Sequence, residues 1–213
     1  MNDTQPLTNK APDGGTTRNM DDPTLIDRVA TSLGDKSLVL IGLMGAGKTT
    51  IGRRLASRLD VHFVDADLEI EKAAGCTIAD IFKKFGEAHF RDGERRVIAR
   101  LMSDGPQVLA TGGGAFMNAQ TRAAIHEKGV SIWLKADIDV LMKRVSRRSH
   151  RPLLQNDDPQ AVMQRLMDER YPIYAEANLT IDSKEGPHDA VVDEIIQALD
   201  LHLTPSTSSK TQD

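Results

Sequence analysis

The segment GLMGAGKTT at residues 42–50 limits the possible folds of this chain more than any other stretch. It fits the pattern G-x-x-x-x-G-K-[ST] of a phosphate-binding loop, with Gly42, Gly47, Lys48 and Thr49 at the defined positions. Such a loop needs a buried strand before it and a helix after it. The apolar run LVLI precedes it, and KTTIGRRLASRLD follows with apolar residues at helical spacing. A glycine-rich turn that binds nothing is the alternative, but this context favours nucleotide binding.

The residue types of this loop explain how it could hold ATP and Mg²⁺. Glycines let successive backbone N–H groups curl around a phosphate, and the helix that starts there adds its positive dipole end. Lys48 can reach the β- and γ-phosphates, and the Thr49 hydroxyl can bind Mg²⁺. The predicted nucleotide-binding residues of the loop are Gly45, Ala46, Gly47, Lys48, Thr49 and Thr50.

Strand and helix patterns alternate along the rest of the chain. Short apolar runs predict strands at 38–42, 62–67, 107–111, 130–135 and 179–182. Amphipathic patterns predict helices between and after these runs. Strands that alternate with helices favour right-handed crossovers and a parallel sheet covered on both faces. The sequence therefore predicts one α/β domain at 37–202.

Composition limits the partners and the compartment. The chain has 213 residues, is 39% hydrophobic and carries a net charge of −4, so no overall basic field attracts nucleic acid or an anionic membrane. The absence of a run of about 18 apolar residues argues against a membrane span, and a single cysteine fits the reducing cytoplasm. Residues 1–36 are predicted to be an extension, disordered over 1–22 and then carrying a loosely attached helix, and 203–213 a disordered tail.

Two aspartates follow the second predicted strand, in HFVDADLEI at 62–70. Asp65 and Asp67 point the same way if extended geometry persists, because residues i and i+2 of a strand share a face. Ligands gather at the carboxyl ends of parallel strands, so both carboxylates are expected to face the phosphate loop. One can bind Mg²⁺ beside Thr49, and the other can accept a hydrogen bond or a proton from an attacking hydroxyl. The alternative for Asp67 is the N-cap of the following helix, and one residue can serve both roles.

An arginine and a glycine triplet supply candidate groups for a small acceptor. Arg91 and Glu94 are three residues apart in FRDGE and can pair on a helix, although an exposed ion pair is the simpler interpretation of this spacing alone. Gly112, Gly113 and Gly114 follow the third predicted strand. Their bare N–H groups allow close approach of a ligand, and a flexible turn is the alternative.

An Arg-rich segment at 147–158 lies between two predicted helices. It contains Arg147, Arg148 and Arg151 together with Pro, Asn and Asp, a composition that suits a mobile lid over ATP. A solvated basic loop is the alternative. Arg170 lies on the following helix and is uninformative by itself.

Taken together, these segments resemble shikimate kinase. The resemblance covers roughly 38–182 and is carried by five motifs in matching order: GLMGAGKTT, FVDADLEIE, FRDGE, TGGGA and RPLL. It implies a three-layer α/β/α P-loop kinase fold with a five-stranded parallel sheet in the order 2-3-1-4-5, a helical substrate region and a mobile lid. It also implies a monomer that transfers the γ-phosphate of ATP to the 3-hydroxyl of shikimate, in the pathway to chorismate and the aromatic amino acids.

On the nucleotide side, the resemblance implies that Lys48 and Thr49 serve ATP and Mg²⁺, with Asp65 near the metal. Arg151 in RPLL would reach the nucleotide from the lid. The implied catalytic set is Lys48, Asp67 and Arg151. A second nucleotide-contacting arginine is left open among Arg144, Arg147 and Arg148.

On the acceptor side, the resemblance implies that Asp67 holds the shikimate hydroxyls and acts as candidate base. Arg91 and Arg170 would grip the shikimate carboxylate, since two guanidinium forks suit a planar carboxylate better than two ammonium groups. Glu94 would hold those arginines in orientation. The glycine triplet 112–114 would offer its backbone, above all at Gly113.

Three other functions fit parts of the pattern. A gluconate-type kinase would use the same scaffold for another carboxylated polyol. A non-catalytic nucleotide-binding module would be expected to lack Lys48, the aspartate pair or the arginines, and all are present. A nucleoside monophosphate kinase would carry a D-G-F-P-R-like stretch, and this sequence has none.

Overall fold

The structure is a computed structural model that describes residues 23–147 and 158–204. Its strands are β1 Ser37–Ile41, β2 His62–Asp65, β3 Gln107–Ala110, β4 Gly129–Lys135 and β5 Leu179–Asp182. Its helices are α1 Pro23–Leu33, α2 Lys48–Arg58, α3 Ala66–Ala74, α4 Ile78–Leu101, α5 Ala119–Lys128, α6 Ile138–Ser146, α7 Pro159–Tyr174 and α8 His188–Leu203, with a short 3-10 turn at Ala115–Met117. The predictions for 1–22, for Arg148 and Arg151 with most of the Arg-rich segment, and for 205–213 lie outside the described residues.

The strands of the described residues form one five-stranded sheet in the order β2-β3-β1-β4-β5. Every neighbouring pair is parallel. All positions of β1 and β3 are buried, as expected for central strands that helices cover on both faces. Because β1 pairs with both β3 and β4, the loop that follows it emerges at the middle of the sheet. The predicted parallel fold and strand order are confirmed.

Helices α2 and α8 pack against each other next to the sheet. Two ion pairs join them, Arg54 to Asp189 at 3.1 Å and Arg58 to Asp193 at 3.0 Å. These pairs hold the helix that carries the phosphate loop against the last helix of the domain. No helix within the described stretches has the length and apolar character needed to cross a lipid bilayer.

Helix α1 packs into the folded domain, which corrects the expectation of a loosely attached segment. Leu25, Val29 and Leu33 recur every four residues, lie on one helix face and are buried in the main apolar core. Arg28 donates two hydrogen bonds to the buried carboxylate of Asp200 on α8, at 3.1 and 3.2 Å. Polar residues separate these apolar positions in the sequence, so the apolar face is not evident there. That face is nevertheless long enough to pack against the core of the domain.

Helix α4 is interrupted at Gly86, whose φ of 79° and ψ of 176° are not helical. The side chain of Thr77 caps its first turn by accepting a hydrogen bond from the Asp80 N–H at 3.1 Å. The two predicted helices at 77–84 and 87–103 therefore meet at one glycine. The second half carries Phe90, Arg91 and Glu94 toward the ends of the strands.

Candidate active site at the carboxyl ends of the strands

A cavity of about 940 Å³ opens at the carboxyl ends of β1, β2 and β3. The predicted site residues that line it are Gly45, Gly47, Lys48, Thr49, Thr50, Asp65, Asp67, Arg91, Gly112, Gly113, Gly114 and Arg170. Ala46 is different, because its methyl group is buried and its N–H donates to the Leu43 carbonyl at 3.2 Å. Arg151 lies outside the described residues. Parallel strands bring these sequence-distant residues together because each strand ends at the same edge of the sheet.

The phosphate loop adopts the backbone geometry that its glycines permit. Gly47 has a φ of 97° and forms the N-cap of α2, so the helix begins at Lys48. A Cβ atom at Gly42 would lie 2.8 Å from the Leu134 carbonyl oxygen, which leaves no room for another residue. The Lys48 ammonium donates to the carbonyls of Gly42 and Leu43 at 2.7 and 3.1 Å. Lys48 therefore lies inside the loop, where a phosphate would replace these carbonyls as its partner.

The two aspartates take different positions from those that a continued strand would give. Strand β2 ends at Asp65, which is the N-cap of α3 and accepts the Asp67 N–H at 3.1 Å. Asp67 lies in the first turn of α3, so the assumed extended geometry across both residues is wrong, and the N-cap is Asp65 instead of Asp67. The cap turns the chain within one residue, and both carboxylates still line the cavity.

The oxygen atoms around Asp65 fit a Mg²⁺ ion. The Thr49 hydroxyl donates to Asp65 at 3.1 Å, so two protein oxygens lie together beside the phosphate loop. Among residues 23–147 and 158–204, no group of three or more His, Cys, Asp or Glu side chains could hold a metal by itself. Mg²⁺ commonly binds through one or two protein oxygens, phosphate oxygens and water, which is the arrangement that this donor set allows.

Asp67 is held in an environment that favours its protonated form. Burial raises the pKa of its carboxyl group, and the negative charges of Asp65 and Glu71 raise it further. The positive charges of Lys48 and Arg91 act in the opposite direction. The pKa of Asp67 is therefore above its ordinary value, and its carboxylate is a stronger base than that of an exposed aspartate.

Arg91 is fixed by two glutamates. It donates to Glu94 at 2.7 Å and to Glu87 at 3.3 Å, and Glu94 is buried. Burial raises the pKa of Glu94, although its hydrogen bond with Arg91 and the charge of Arg91 oppose the rise. Burial alone would lower the pKa of Arg91, but these two glutamates keep it raised. The pair predicted from FRDGE forms, and it lies beside the cavity instead of on an exposed surface.

The glycine triplet 112–114 lies against these charged side chains. A Cβ atom at Gly112 would approach Asp67 Oδ1 to 2.8 Å and Glu94 Oε1 to 2.9 Å, and one at Gly114 would approach Arg91 to 2.5 Å. At Gly113 the nearest atom would be Nη1 of Arg170, at 3.2 Å. The absence of side chains is what lets the loop approach Asp67 and both arginines.

Arg144 is the described arginine that touches the phosphate loop. It donates to the Gly45 carbonyl at 3.3 Å and to the Ser183 hydroxyl at 2.8 Å. Ser183 in turn donates to the Ala46 carbonyl at 2.8 Å. Arg147 also lines the cavity, while Arg148 lies outside the described residues. Ser183 is not among the residues predicted from the sequence, although its place directly after the last predicted strand was an available signal.

Comparison with known proteins connects this arrangement to one family. A family model described as "Shikimate kinase" matches residues 44–200. A curated shikimate kinase of Bradyrhizobium diazoefficiens is 61% identical over 175 residues, which are 82% of this chain and 84% of that protein. A shikimate kinase structure from Acinetobacter baumannii, in complex with shikimate, has a TM-score of 0.74 and 38% identity over 79% of this chain and 95% of its own.

A gluconokinase structure shares the fold at a lower level of similarity. The protein from Sinorhizobium meliloti has a TM-score of 0.50 and 19% identity, and the match covers 78% of this chain and 91% of its own. At that identity the likeness concerns the fold alone.

Proposed function

The chain belongs to the shikimate kinase family, and we propose that it transfers the γ-phosphate of ATP to the 3-hydroxyl of shikimate. The products are shikimate 3-phosphate and ADP, in the pathway to chorismate and the aromatic amino acids. Membership of the family makes the protein an ATP-dependent kinase, a transferase. One observation carries the proposal: a phosphate loop, an acid–base candidate and two arginines surround the same cavity.

The nucleotide half of the site uses the loop 42–50. Its N–H groups and the start of α2 bind the phosphates, and Lys48 exchanges its carbonyl partners for phosphate oxygens. Mg²⁺, held by Thr49 and Asp65, would neutralise charge on the phosphates. Arg144 supports the nucleotide as well, since it lines the same cavity and already contacts the loop. The assignment of Arg151 to the nucleotide stays a prediction from the family resemblance.

The acceptor half is the part of the cavity that Asp67 and the glycine triplet 112–114 line together. Arg91 and Arg170 approach this loop from two helices, so their guanidinium groups can bind one carboxylate from two directions. Glu94 keeps Arg91 oriented by the 2.7 Å hydrogen bond. A ring that bears one carboxylate and several hydroxyls matches this distribution of charge.

Asp67 accepts the proton or the hydrogen bond of the attacking hydroxyl. Its raised pKa makes it a better acceptor than an ordinary aspartate, while Lys48 and Arg91 keep the ionised form accessible. The rest of the chemistry is alignment of the hydroxyl with the γ-phosphate and neutralisation of the transferred charge. Two further parts of the proposal are a monomeric enzyme and a cytoplasmic location, where ATP is available.

The direct test is a coupled assay of ADP formation with purified protein, ATP, Mg²⁺ and either shikimate, gluconate or no acceptor. We expect ADP formation that depends on shikimate and matches the amount of shikimate 3-phosphate. Turnover of gluconate without turnover of shikimate would replace the proposed acceptor. ADP release at equal rates without any acceptor would show a nucleotidase, and nucleotide binding without turnover would indicate a binding module.

A further inference from the structure

Tyr174 is a buried phenol at the end of α7 that the proposed chemistry does not use. Its side chain is fully buried, and its hydroxyl donates to the Gly113 carbonyl. The donor and acceptor are 61 positions apart in the chain. This hydrogen bond ties α7 to the middle of the glycine triplet 112–114.

The same phenol also contacts Arg170, one helical turn earlier. A hydrogen bond with this guanidinium and its positive charge oppose the rise that burial causes in the pKa of Tyr174. Nη1 of Arg170 also lies beside Gly113, 3.2 Å from the position of a Cβ atom there. Arg170, Tyr174 and Gly113 therefore form a continuous polar chain, of which Arg170 and Gly113 line the cavity.

Aromatic neighbours hold the phenol in place. Trp133 and Phe116 pack against Tyr174 edge-on, with ring centroids 6.0 and 6.5 Å away. An aromatic side chain has only two torsions, so packing against two other rings restricts the position of its hydroxyl. The loop that it holds consists of three glycines, the residues with the most backbone freedom to lose. A rigid tether on such a loop lowers the entropy that an acceptor would otherwise have to overcome on binding.

We propose that Tyr174 is a positioning residue that holds Arg170 and the glycine triplet 112–114 as one preformed acceptor-binding unit. The proposal rests on shikimate being the acceptor. It assigns Tyr174 no contact with substrate. Its effect is exerted through the orientation of the Arg170 guanidinium and of the backbone of Gly113.

The test is the variant Tyr174→Phe, which keeps the ring and removes only the hydroxyl. Shikimate and ATP are titrated separately by calorimetry into wild-type and variant protein. For both proteins, kcat and the KM values of the two substrates are also measured. We expect shikimate to bind about tenfold more weakly, the factor that corresponds to about 1.4 kcal/mol, with ATP affinity within about twofold of wild type. Unchanged shikimate affinity would overturn the inference. An equal loss for both ligands would also overturn it, because it would reveal general damage to the fold.

Tyr171→Phe is the matched control on the same helix. The Tyr171 hydroxyl donates to the Ala136 carbonyl at 2.5 Å, and its ring packs edge-on against the same Trp133 at 4.8 Å. The change removes one phenolic hydrogen bond but does not touch the glycine triplet. We expect shikimate affinity within about twofold of wild type. A tenfold loss in this variant as well would assign both effects to packing around Trp133 and refute the specific role of Tyr174.

A double-mutant cycle tests whether Tyr174 works through Arg170. In an Arg170→Ala background, Tyr174→Phe should weaken shikimate binding by clearly less than in the wild type, because one member of the unit is already lost. Fully additive losses would show two independent effects and contradict the proposal.

The wild-type titration separates this inference from the function on which it rests. If the wild-type protein does not bind shikimate, the proposal that shikimate is the acceptor is refuted. If wild-type and Tyr174→Phe proteins bind shikimate equally, only the positioning role of Tyr174 is refuted.

Discussion

Asp67 is the residue on which the proposed phosphate transfer depends most directly. The variant Asp67→Asn keeps the size of the side chain but cannot accept a proton, so we expect kcat to fall about 10²- to 10⁴-fold. ATP should bind nearly as in the wild type, because Lys48 and the loop 42–50 are unchanged. Steady-state kinetics and an ATP titration measure the two quantities. Asp104→Asn, at an exposed position, is the control. Turnover near the wild-type level in Asp67→Asn would remove this carboxylate from the chemistry.

Removal of either arginine beside the glycine triplet 112–114 should weaken the binding of shikimate more than the binding of ATP. We expect Arg91→Ala and Arg170→Ala each to weaken shikimate binding about 10- to 100-fold, since a hydrogen bond to a charged group contributes about 1.5–3 kcal/mol. ATP affinity should change little. Arg95→Ala and Arg165→Ala remove arginines from the same two helices and serve as matched controls, because neither side chain lines the cavity. Separate titrations in which both ligands lost affinity in parallel would contradict the assignment.

The pH at which Asp67 ionises can be measured directly. Its pKa in the folded protein lies above the ordinary 3.8, first because of burial and then because of Asp65. On acidification Asp67 therefore takes up its proton at a higher pH than an exposed aspartate. The unfolded chain ionises this group near pH 3.8, but the folded protein ionises it only at a higher pH. The free energy of unfolding therefore decreases as pH rises from 3.8 through the raised pKa. Carboxyl-carbon NMR of the ligand-free protein measures this pKa.

Glu71→Gln is the comparison for that measurement. Glu71 is one of the charges that raise the pKa of Asp67, and its side chain accepts the Ile78 N–H at 2.9 Å. Glutamine retains an acceptor for that hydrogen bond but removes the charge. We expect the pKa of Asp67 to fall in this variant. If the pKa of Asp67 stays constant or rises in this variant, the charge of Glu71 does not raise it in the wild-type protein, and the described electrostatics of the cavity are wrong.

Single residues could be predicted where a local motif carries the chemistry. Most residues of the loop 42–50, the aspartate pair and the FRDGE pair line the cavity, and their individual roles stay predictions. The place of Ser183 directly after the last strand was a signal of its location, but the contacts that Ser183 and Tyr174 make could not be predicted in the same way. Both act on backbone carbonyls that are distant in sequence, and no local pattern records such a contact.

Among the elements, α4 contains the most specific backbone requirement. Gly86 occupies a region of φ and ψ that is essentially restricted to glycine, yet a Cβ atom there would meet nothing within 4 Å. Gly86→Ala should therefore lower the free energy of unfolding by about 1–3 kcal/mol through backbone strain alone. Chemical denaturation measures the change.

Gly93→Ala is the matched control in the second half of α4. Gly93 is helical and also has open space at its Cβ position, so alanine there should be neutral or stabilise the protein by up to about 1 kcal/mol. If both variants lose the same free energy of unfolding, the non-helical backbone at Gly86 is not the cause of the loss.

Element boundaries were predictable where one signal dominates. The central strands β1, β3 and β4 agree with their apolar runs to within a residue at each end. Strand β2 was predicted two residues too long, because the aspartate at its end is also a helix-capping residue. The docking of α1 was missed because apolar spacing predicts a helix but does not identify the surface that receives it.

At the scale of the whole molecule, α1 extends the packed domain beyond the residues that the family model matches, 44–200. Removing residues 1–33 deletes three buried side chains and leaves Asp200 without Arg28. We expect a loss of at least about 2 kcal/mol in the free energy of unfolding. Removing residues 1–22 deletes none of these contacts and should leave the melting temperature and the activity unchanged. Equal stability of both truncated proteins would mean that the docking of α1 contributes nothing.

The global topology was predictable only in part from the residues themselves. Alternating strand and helix signals indicate a parallel sheet, but the order of strands is set by contacts between distant segments. That order came from the resemblance of five motifs to a known family, and the structure confirms it.

The glycine triplet also bears on how this enzyme could acquire resistance to an inhibitor. Any side chain added at Gly112 or Gly114 would press into Asp67, Glu94 or Arg91. A substitution that repelled a drug from this loop would displace the same side chains to which we assign roles in binding and activating the acceptor. Compounds that draw their affinity from the backbone here would therefore leave few substitutions at Gly112 or Gly114 that weaken the compound and spare the site.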